Sequence, residues 1–332
     1  MDPLSDLLSL LKPRSVVSGH LAMSCNSAIQ WPQHAGIKCY AVISGQCWLS
    51  VDGVGDPVLL TAGDCYLLPP GPPFCLATDL SVTPVDFELL RVAGGLRTAI
   101  SGSEGEGCSI VGGHFLLTGG HVDMLLGSLP PIVHIHKESD KAAMRWSLEH
   151  MTKEVRDPQP GGSLIVQQLA FTMLVQALRL HLSDAASAGV GWLFALADKQ
   201  LAAALTHMHH DPGHPWTLQK LAVRIGMSRS SFALRFKEVI GTSPIEYLTR
   251  WRMLLACERL KSSAESIPRI ATSLGYESES AFAKAFKRVI GCSPRQYSRQ
   301  ATSTISPPLV TMGIGASKAR DPALTILENS LR

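Results

Sequence analysis

Charge is scarce in this 332-residue sequence. Charged residues make up 17% of it and hydrophobic ones 45%. That balance excludes a disordered chain and fits a globular one, with length enough for two domains and a short tail. The eight cysteines (Cys25, Cys39, Cys47, Cys65, Cys75, Cys108, Cys257 and Cys292) form no CxxC pair. Free, mostly buried thiols are the expectation. No basic run follows Met1-Asp2-Pro3, so no secretory signal is expected. No apolar run is expected to span a bilayer, because Leu164 to Leu182 is interrupted by Gln167, Gln168, Gln176 and Arg179. These absences describe a soluble, cytoplasmic protein with no membrane partner.

The small net charge of +3 conceals an asymmetry. Residues 1–192 carry 11 basic and 17 acidic side chains, net −6, while residues 193–300 carry 16 and 8, net +8. A polyanion partner is therefore expected for the second block only.

Residues 37–78 read as short strands. Cys39–Ile43 and Cys47–Val51 favour extended backbone, and Asp52-Gly53 is a hairpin signal. Val58–Leu60 and Cys65–Leu68 follow, the latter running into Pro69-Pro70-Gly71-Pro72-Pro73. Strands this short suggest a sandwich or barrel. From about residue 140 the period becomes helical. Ala142–Val155 and Leu164–Leu182 are predicted helices, the second with Leu169, Met173, Gln176 and Leu180 along one face. Residues 183–192 have linker composition, and 301–332, without periodicity, are expected to be a largely disordered tail.

The last third contains a repeat. Residues 228–247 (SRSSFALRFKEVIGTSPIEY) and 278–297 (SESAFAKAFKRVIGCSPRQY) are identical at twelve of twenty positions. Upstream, Leu218-Gln-Lys-Leu-Ala222…Gly226 matches Ile267-Pro-Arg-Ile-Ala271…Gly275. Each copy has helix-turn-helix grammar. Thr217 and Ser266 are expected to cap the first helices, Gly226 and Gly275 to make the turns, and Ser228 and Ser278 to cap the second helices. Phe232, Phe236, Val239 and Ile240 form the expected buried stripe of the first copy. Gly241 and Gly291 stop the second helices, and Pro244 and Pro294 start new ones. In such units the second helix lies in the major groove. Two units per chain could enter successive grooves, about 34 Å apart.

The region from about 200 to 298 resembles the DNA-binding domain of the AraC/XylS family. The motifs are Leu221-Ala222, Gly226-Met-Ser-Arg-Ser-Ser-Phe232, Arg235-Phe-Lys237, Gly241-Thr-Ser-Pro244, Ser266-Ile267, Ile270-Ala271, Gly275-Tyr-Glu-Ser-Glu-Ser-Ala-Phe282, Lys284-Ala-Phe-Lys287 and Gly291-Cys-Ser-Pro294. The strand region resembles the cupin-type ligand-binding domain of one branch of that family, through Gly45-Gln-Cys-Trp48, Gly63-Asp64, Leu68-Pro69-Pro70 and Gly112-Gly-His-Phe115. The resemblance implies an α+β chain. A cupin-like β-barrel with two helices would fill 1–182, and an all-α domain of two tandem helix-turn-helix units (about 217–240 and 266–290) would fill 193–300. It implies a transcription regulator, here an activator, that binds promoter or operator double-stranded DNA, engages RNA polymerase and forms a homodimer through the two helices. It implies no catalytic residues and no cofactor.

By the same resemblance, base-reading positions fall on Ser230, Ala233 and Leu234 in the first copy and on Ser280, Ala281 and Lys284 in the second. Leu234 stands where an arginine is common. Leucine cannot make a bidentate contact to guanine, so reading by the first copy falls to Arg229, Ser230 and Ser231. Thr217, Ser228, Arg235, Lys237, Ser278, Lys287 and Arg288 are expected phosphate contacts.

No metal site is expected in the barrel. No HxH with a nearby Glu follows His34, Phe74 stands where a cupin often places a histidine, and His134-Ile-His136 is read as lying past the strands. His207, His209, His210 and His214 are read as a loop cluster beside Asp211-Pro-Gly213. A small-molecule effector sensed by the barrel is the leading expectation. The alternative is a thiol-based redox sensor using Cys25, Cys39, Cys47, Cys65, Cys75 and Cys108. A cupin enzyme fused to a DNA-binding domain is a remote third.

Overall fold

Short strands, some of them buried along their whole length, build the first half of the molecule. In the computed structural model, which describes residues 2–92, 107–117, 127, 129–157, 159–184, 191–262 and 265–303, the chain divides into two compact units, Met1–Leu254 and Leu255–Arg332. Helix α1 (Pro3–Leu11) leads into β1 (Arg14–Ser24), β2 (Ala28–Trp31), β3 (Ile37–Ser44), β4 (Gln46–Val51), β5 (Val54–Thr61), β6 (Cys65–Leu68), β7 (Phe74–Ala77) and β8 (Val85–Asp86). Then come α2 (Phe87–Val92), β9 (Gly107–Leu116) and β10 (Val133–Ile135). One sheet has the order β1-β9-β3-β6-β10 and the other β5-β4-β7-β2-β8. Met23, Trp31, Val42, Leu49, Leu60, Tyr66, Leu68, Phe74, Leu76 and Ile110 form the core between them. This is the cupin-like arrangement that the resemblance implied.

The four strands expected within 37–68 are β3 to β6. The sequence reading did not name β1, β2, β7, β8, β9 or β10, which complete the sheets. It also misplaced His134. That residue lies in β10, paired with β6 in the barrel sheet, and its Nε2 is 3.2 Å from the buried Asp64 carboxylate. Lys141 approaches the same carboxylate at 3.0 Å.

Helices α3 (Glu138–Arg156) and α4 (Gly162–Asp184) follow. Val166, Leu169, Ala170, Met173, Leu174, Ala177 and Leu178 are buried at helical spacing, because α4 lies against α3 and against β1, β3, β6, β9 and β10. This corrects two expectations. The stretch Gly162–Ser183 is, by length and composition, apolar enough to cross a membrane; packing on the barrel sheet takes up part of that apolarity, and Leu164 and Ile165 remain exposed. The Leu169–Met173 face expected to join two chains is spent inside this one.

The remaining elements are α5 (Trp192–Ala197), α6 (Lys199–His210), α7 (Leu218–Arg224), α8 (Arg229–Ile240), α9 (Pro244–Ser262), α10 (Ile267–Ser273), α11 (Glu279–Ile290) and α12 (Pro294–Ser303). The expected linker falls largely at 185–190 and the expected tail at 304–332, both outside the described residues. His207, His209 and His210 are not in a loop; they form the last turn of α6. Among the described residues no cluster of His, Cys, Asp and Glu could hold a metal ion.

Candidate nucleic-acid interface

Each helix-turn-helix copy is assembled by the same few side chains. In the first, Leu221 and Ala222 of α7 are buried with Phe232 and Phe236 of α8 and Tyr247 of α9. The Phe232 and Phe236 rings lie 5.5 Å apart and Phe236 meets Tyr247 edge-on at 5.8 Å. Gly226 takes φ 70°, a left-handed value that would strain a residue bearing Cβ. In the second copy Ile270, Ala271, Phe282 and Phe286 are buried. Phe286 stands 5.7 Å from Phe282 and 5.7 Å edge-on from Tyr297. Gly275 makes the same turn at φ 79°.

The caps follow the expected pattern with one exception. Thr217, Ser228 and Ser278 accept from the backbone N–H three residues on, at 3.1, 3.1 and 3.2 Å. Ser266 occupies the capping position of α10 without a side-chain hydrogen bond. At the start of α8 the Ser228 hydroxyl also donates to Ser231 Oγ at 2.8 Å and lies 3.2 Å from Ser230 Oγ.

The expected base-reading side chains lie on solvent-facing surface. Arg229, Ser230, Ser231 and Leu234 of α8 are exposed, Leu234 at 61%. Ala233 is half-buried beside Phe232 and has little surface to offer a base. On α11, Ser280, Ala281 and Lys284 are exposed. Among the expected phosphate contacts Thr217, Ser228, Lys237, Ser278, Lys287 and Arg288 are exposed as well. Arg229, Lys237, Lys284 and Lys287 have no side-chain partner among the described residues.

Arg235 is different. Its Nε donates to Asp198 Oδ2 at 2.6 Å. Asp198 also caps α6, accepting from the N–H groups of Gln200 and Leu201 at 2.9 and 3.1 Å. Burial alone would raise the Asp198 pKa, but the Leu201 N–H and the Arg235 guanidinium outweigh it and hold the carboxyl low. Arg235 thus ties α8 to α6, a role the sequence reading missed. The signal was present: Asp198 precedes a helical run, where an acidic cap is expected.

A second feature escaped the sequence reading. The Tyr247 hydroxyl accepts from Trp192 Nε1 at 2.7 Å and lies 2.7 Å from His209 Nε2. The His209 ring stacks on Trp251 at 3.6 Å. Burial pushes His209 down to about 3, so it is neutral and its unprotonated Nε2 accepts from Tyr247. Asp6 of α1 approaches its Nδ1 at 3.4 Å. In the second copy Arg259 holds Glu265 and donates to Ser273 Oγ at 2.6 Å. Arg295 meets Glu279, in the first turn of α11, at 3.5 Å.

The thiols read as possible redox sensors are, Cys25 excepted, core side chains. The hydrogen bond to Cys108 and burial push Cys47 up, the hydrogen bond to Cys39 and burial push Cys65 up, and burial raises Cys75. Cys108 is lowered by its hydrogen bond with Cys47 but is itself buried in the core, and the raised thiols stay protonated and unreactive.

A fold of two facing sheets, antiparallel except for the β2–β8 pair, followed by duplicated helix-turn-helix units defines a class, the two-part DNA-binding proteins with an amino-terminal β domain. A family model described as "Cupin" matches residues 2–183, and one described as "Helix-turn-helix domain" matches residues 221–300. The chain is 41% identical over 282 residues to an AraC-like transcription regulator of Streptomyces lividans, covering 84% of this chain and 92% of the relative. It is 40% identical over 282 residues, with the same coverage, to an AraC-like transcription regulator of Streptomyces antibioticus. To the RCS-specific HTH-type transcriptional activator RclR of Escherichia coli it is 28% identical over 287 residues, covering 84% and 90%. The chain belongs to the AraC-like family of transcription regulators. It is a DNA-binding regulator with an amino-terminal cupin domain.

Proposed function

We propose that α8 and α11 are the DNA-reading helices. Lys284, Ser280 and Ala281 would specify bases, Arg229, Ser230 and Ser231 would make the first copy's polar contacts, and Lys237, Lys287, Arg288 and the capped helix starts would hold phosphates. The observation that supports this most is that Arg229 and Lys237 of α8, and Lys284 and Lys287 of α11, are exposed and have no side-chain partner among the described residues, while Phe232, Phe236, Phe282 and Phe286 of the same helices are buried. Leu234 at best packs on a thymine methyl, and Arg235 serves the fold first. The test is selection of sites from a random duplex library, then footprinting of the full chain. Two protected major-groove segments per chain are expected. A single segment, unchanged by Lys284→Ala, would reduce α11 to a structural copy.

The reading extends to a cytoplasmic homodimer that activates promoters through RNA polymerase, its effector sensed by the cupin domain of residues 1–182 and its DNA bound by residues 193–300. No reaction is assigned to it. With Leu169 and Met173 packed internally, the α3 face bearing Trp146, 59% exposed, is the better surface for joining chains. Trp146→Glu should turn a sedimenting dimer into a monomer if that face is used.

A further inference from the structure

The function proposed above leaves one cluster unused. His207 and His210, in the last turn of α6, lie with His214 and Trp216 of the segment that follows. The Trp216 ring centroid is 4.3 Å from that of His214 and 6.0 Å from that of His207. Together with Lys220 and Arg224 of α7 they line a groove of about 530 Å³. Among the described residues lining it, Asp211 is the one acid, 3.9 Å from His214 Nδ1. Val223, 67% exposed, forms part of the wall.

Hydrogen bonds fix the segment between α6 and α7. Trp216 Nε1 donates to the Asp211 carbonyl at 2.8 Å, and the His214 N–H donates to Asp211 Oδ1 at 3.1 Å. Arg252 of α9 donates to the carbonyls of Pro212 and His214 at 2.6 and 2.9 Å. Lys220 Nζ donates to the Pro215 carbonyl at 3.2 Å, a neutral group that leaves its charge uncompensated. Like charges this close repel, so packing alone gives no reason to gather three imidazoles, an ammonium and a guanidinium around one carboxylate.

Position in the fold supplies the reason. Helix α7 is the first helix of its helix-turn-helix unit, the one that crosses the sugar–phosphate backbone. Histidine is the side chain whose ordinary titration falls in the physiological range. Lys220 and Arg224 against Asp211 leave the lining at net +1 while the imidazoles are neutral; protonating all three would bring it to +4. Burial, with the Arg224 and His210 charges, holds His207 below its ordinary value. Asp6 of α1 faces His210 and offsets part of the added charge. His209 stays neutral and takes no part.

We propose that this groove grips the phosphate backbone beside the first copy's major-groove segment, with its histidines, Lys220 and Arg224 on phosphate oxygens and Trp216 and Val223 against deoxyribose. A phosphate favours the protonated imidazole, so the bound state takes up protons and DNA affinity rises as pH falls through the histidine range. The proposal rests on reading α8 and α11 as the DNA-reading helices and adds a flanking contact that neither contains.

The test measures affinity of the full chain for the selected duplex over a range of salt, at about pH 6 and about pH 8. At the lower pH affinity should be at least about tenfold higher, and the salt dependence steeper by about two ions. A triple variant with His207→Gln, His210→Gln and His214→Gln removes only these three of the chain's 12 histidines. In chain that still melts cooperatively, it should lose most of both effects. Lys220→Gln should weaken binding about fivefold at either pH. Hydroxyl-radical footprinting of the unaltered chain needs no variant. At the lower pH it should protect added phosphates beside the groove segment that Lys284→Ala leaves unchanged. Equal affinity and salt dependence at the two pH values, a pH effect untouched by the triple variant, or no added protection would overturn the site. Two protected groove segments without that flank would leave the reading helices standing and this site fallen. A histidine-dependent flank with no response to Lys284→Ala would uphold the site and overturn α11 as a reader.

Discussion

The two helix-turn-helix copies share their inner faces and differ on their outer ones. Phe232, Phe236 and Tyr247 correspond to Phe282, Phe286 and Tyr297, and the ring separations agree within a few tenths of an ångström. Gly241 and Gly291 end the paired helices at φ 81° and 91°. Outside, Arg229 corresponds to Glu279, Ser231 to Ala281 and Leu234 to Lys284. A duplicated unit keeps what sets its helix crossing, because close packing tolerates little change there. Its solvent face is free to diverge, and divergence there changes what DNA it can read. The anchoring has diverged as well. The first copy is tied down by Arg235 on Asp198 and by Tyr247 beneath Trp192 and His209, while the second relies on Arg259 with Glu265 and Arg295 with Glu279.

The strongest way to break the comparison is through the shared core. Phe236→Ala and Phe286→Ala each delete a fully buried ring, and each should cost about 3–5 kcal/mol. Hydrogen exchange of amides in α8 and α11 would read the loss copy by copy. A cost confined to one copy would mean that the equivalence of the two cores is only geometric.

A smaller effect should separate the outer faces. Lys284→Ala is expected to cost about 1–3 kcal/mol of binding to the selected duplex and to relax base preference in one segment of the site. Leu234→Ala should change affinity by less than about 0.5 kcal/mol, since it removes no polar contact. Lys237→Ala should weaken binding to all sequences alike and lower the salt dependence by about one ion. If Leu234→Ala costs as much as Lys284→Ala, the outer faces are more alike than their chemistry suggests.

How much of this was visible in sequence depended on whether the signal was local. The repeat could be read directly, because caps, glycine turns and the Phe spacing are set within about twenty residues. Strands β3 to β6 were equally legible, carried by hairpin and proline signals. By contrast β1 and β9 pair across some ninety positions, Arg14 with Leu116 and Ser24 with Gly107, and no local pattern announces such a partner. The same holds at the interface. Exposure of Arg229 and Lys284 follows from helical periodicity. The capture of Arg235 by Asp198 depends on two helices meeting, 37 positions apart. The apolar face of α4 was read correctly as a face, but periodicity does not say whether a face meets its own barrel or another chain.

The smallest prediction concerns the caps, where the copies should be alike at one helix and unlike at the other. Ser228 and Ser278 each satisfy a backbone N–H that would otherwise be left to water at the start of α8 and α11. Replacing either with alanine removes that bond and should cost about 1 kcal/mol. Thr217 does the same for α7. Ser266 sits at the equivalent place before α10 with its hydroxyl unused for capping, and Pro268 in the first turn already lacks one of the N–H groups a cap would serve. Ser266→Ala should therefore be neutral to within about 0.5 kcal/mol, while Thr217→Ala should cost about as much as Ser228→Ala. Opening free energies from hydrogen exchange in the first turn of each helix measure all four without DNA present, so a phosphate-binding role of the same hydroxyls does not enter. A loss at Ser266 equal to that at Thr217 would show that α10 is capped as α7 is, and that the two copies start their first helices in the same way.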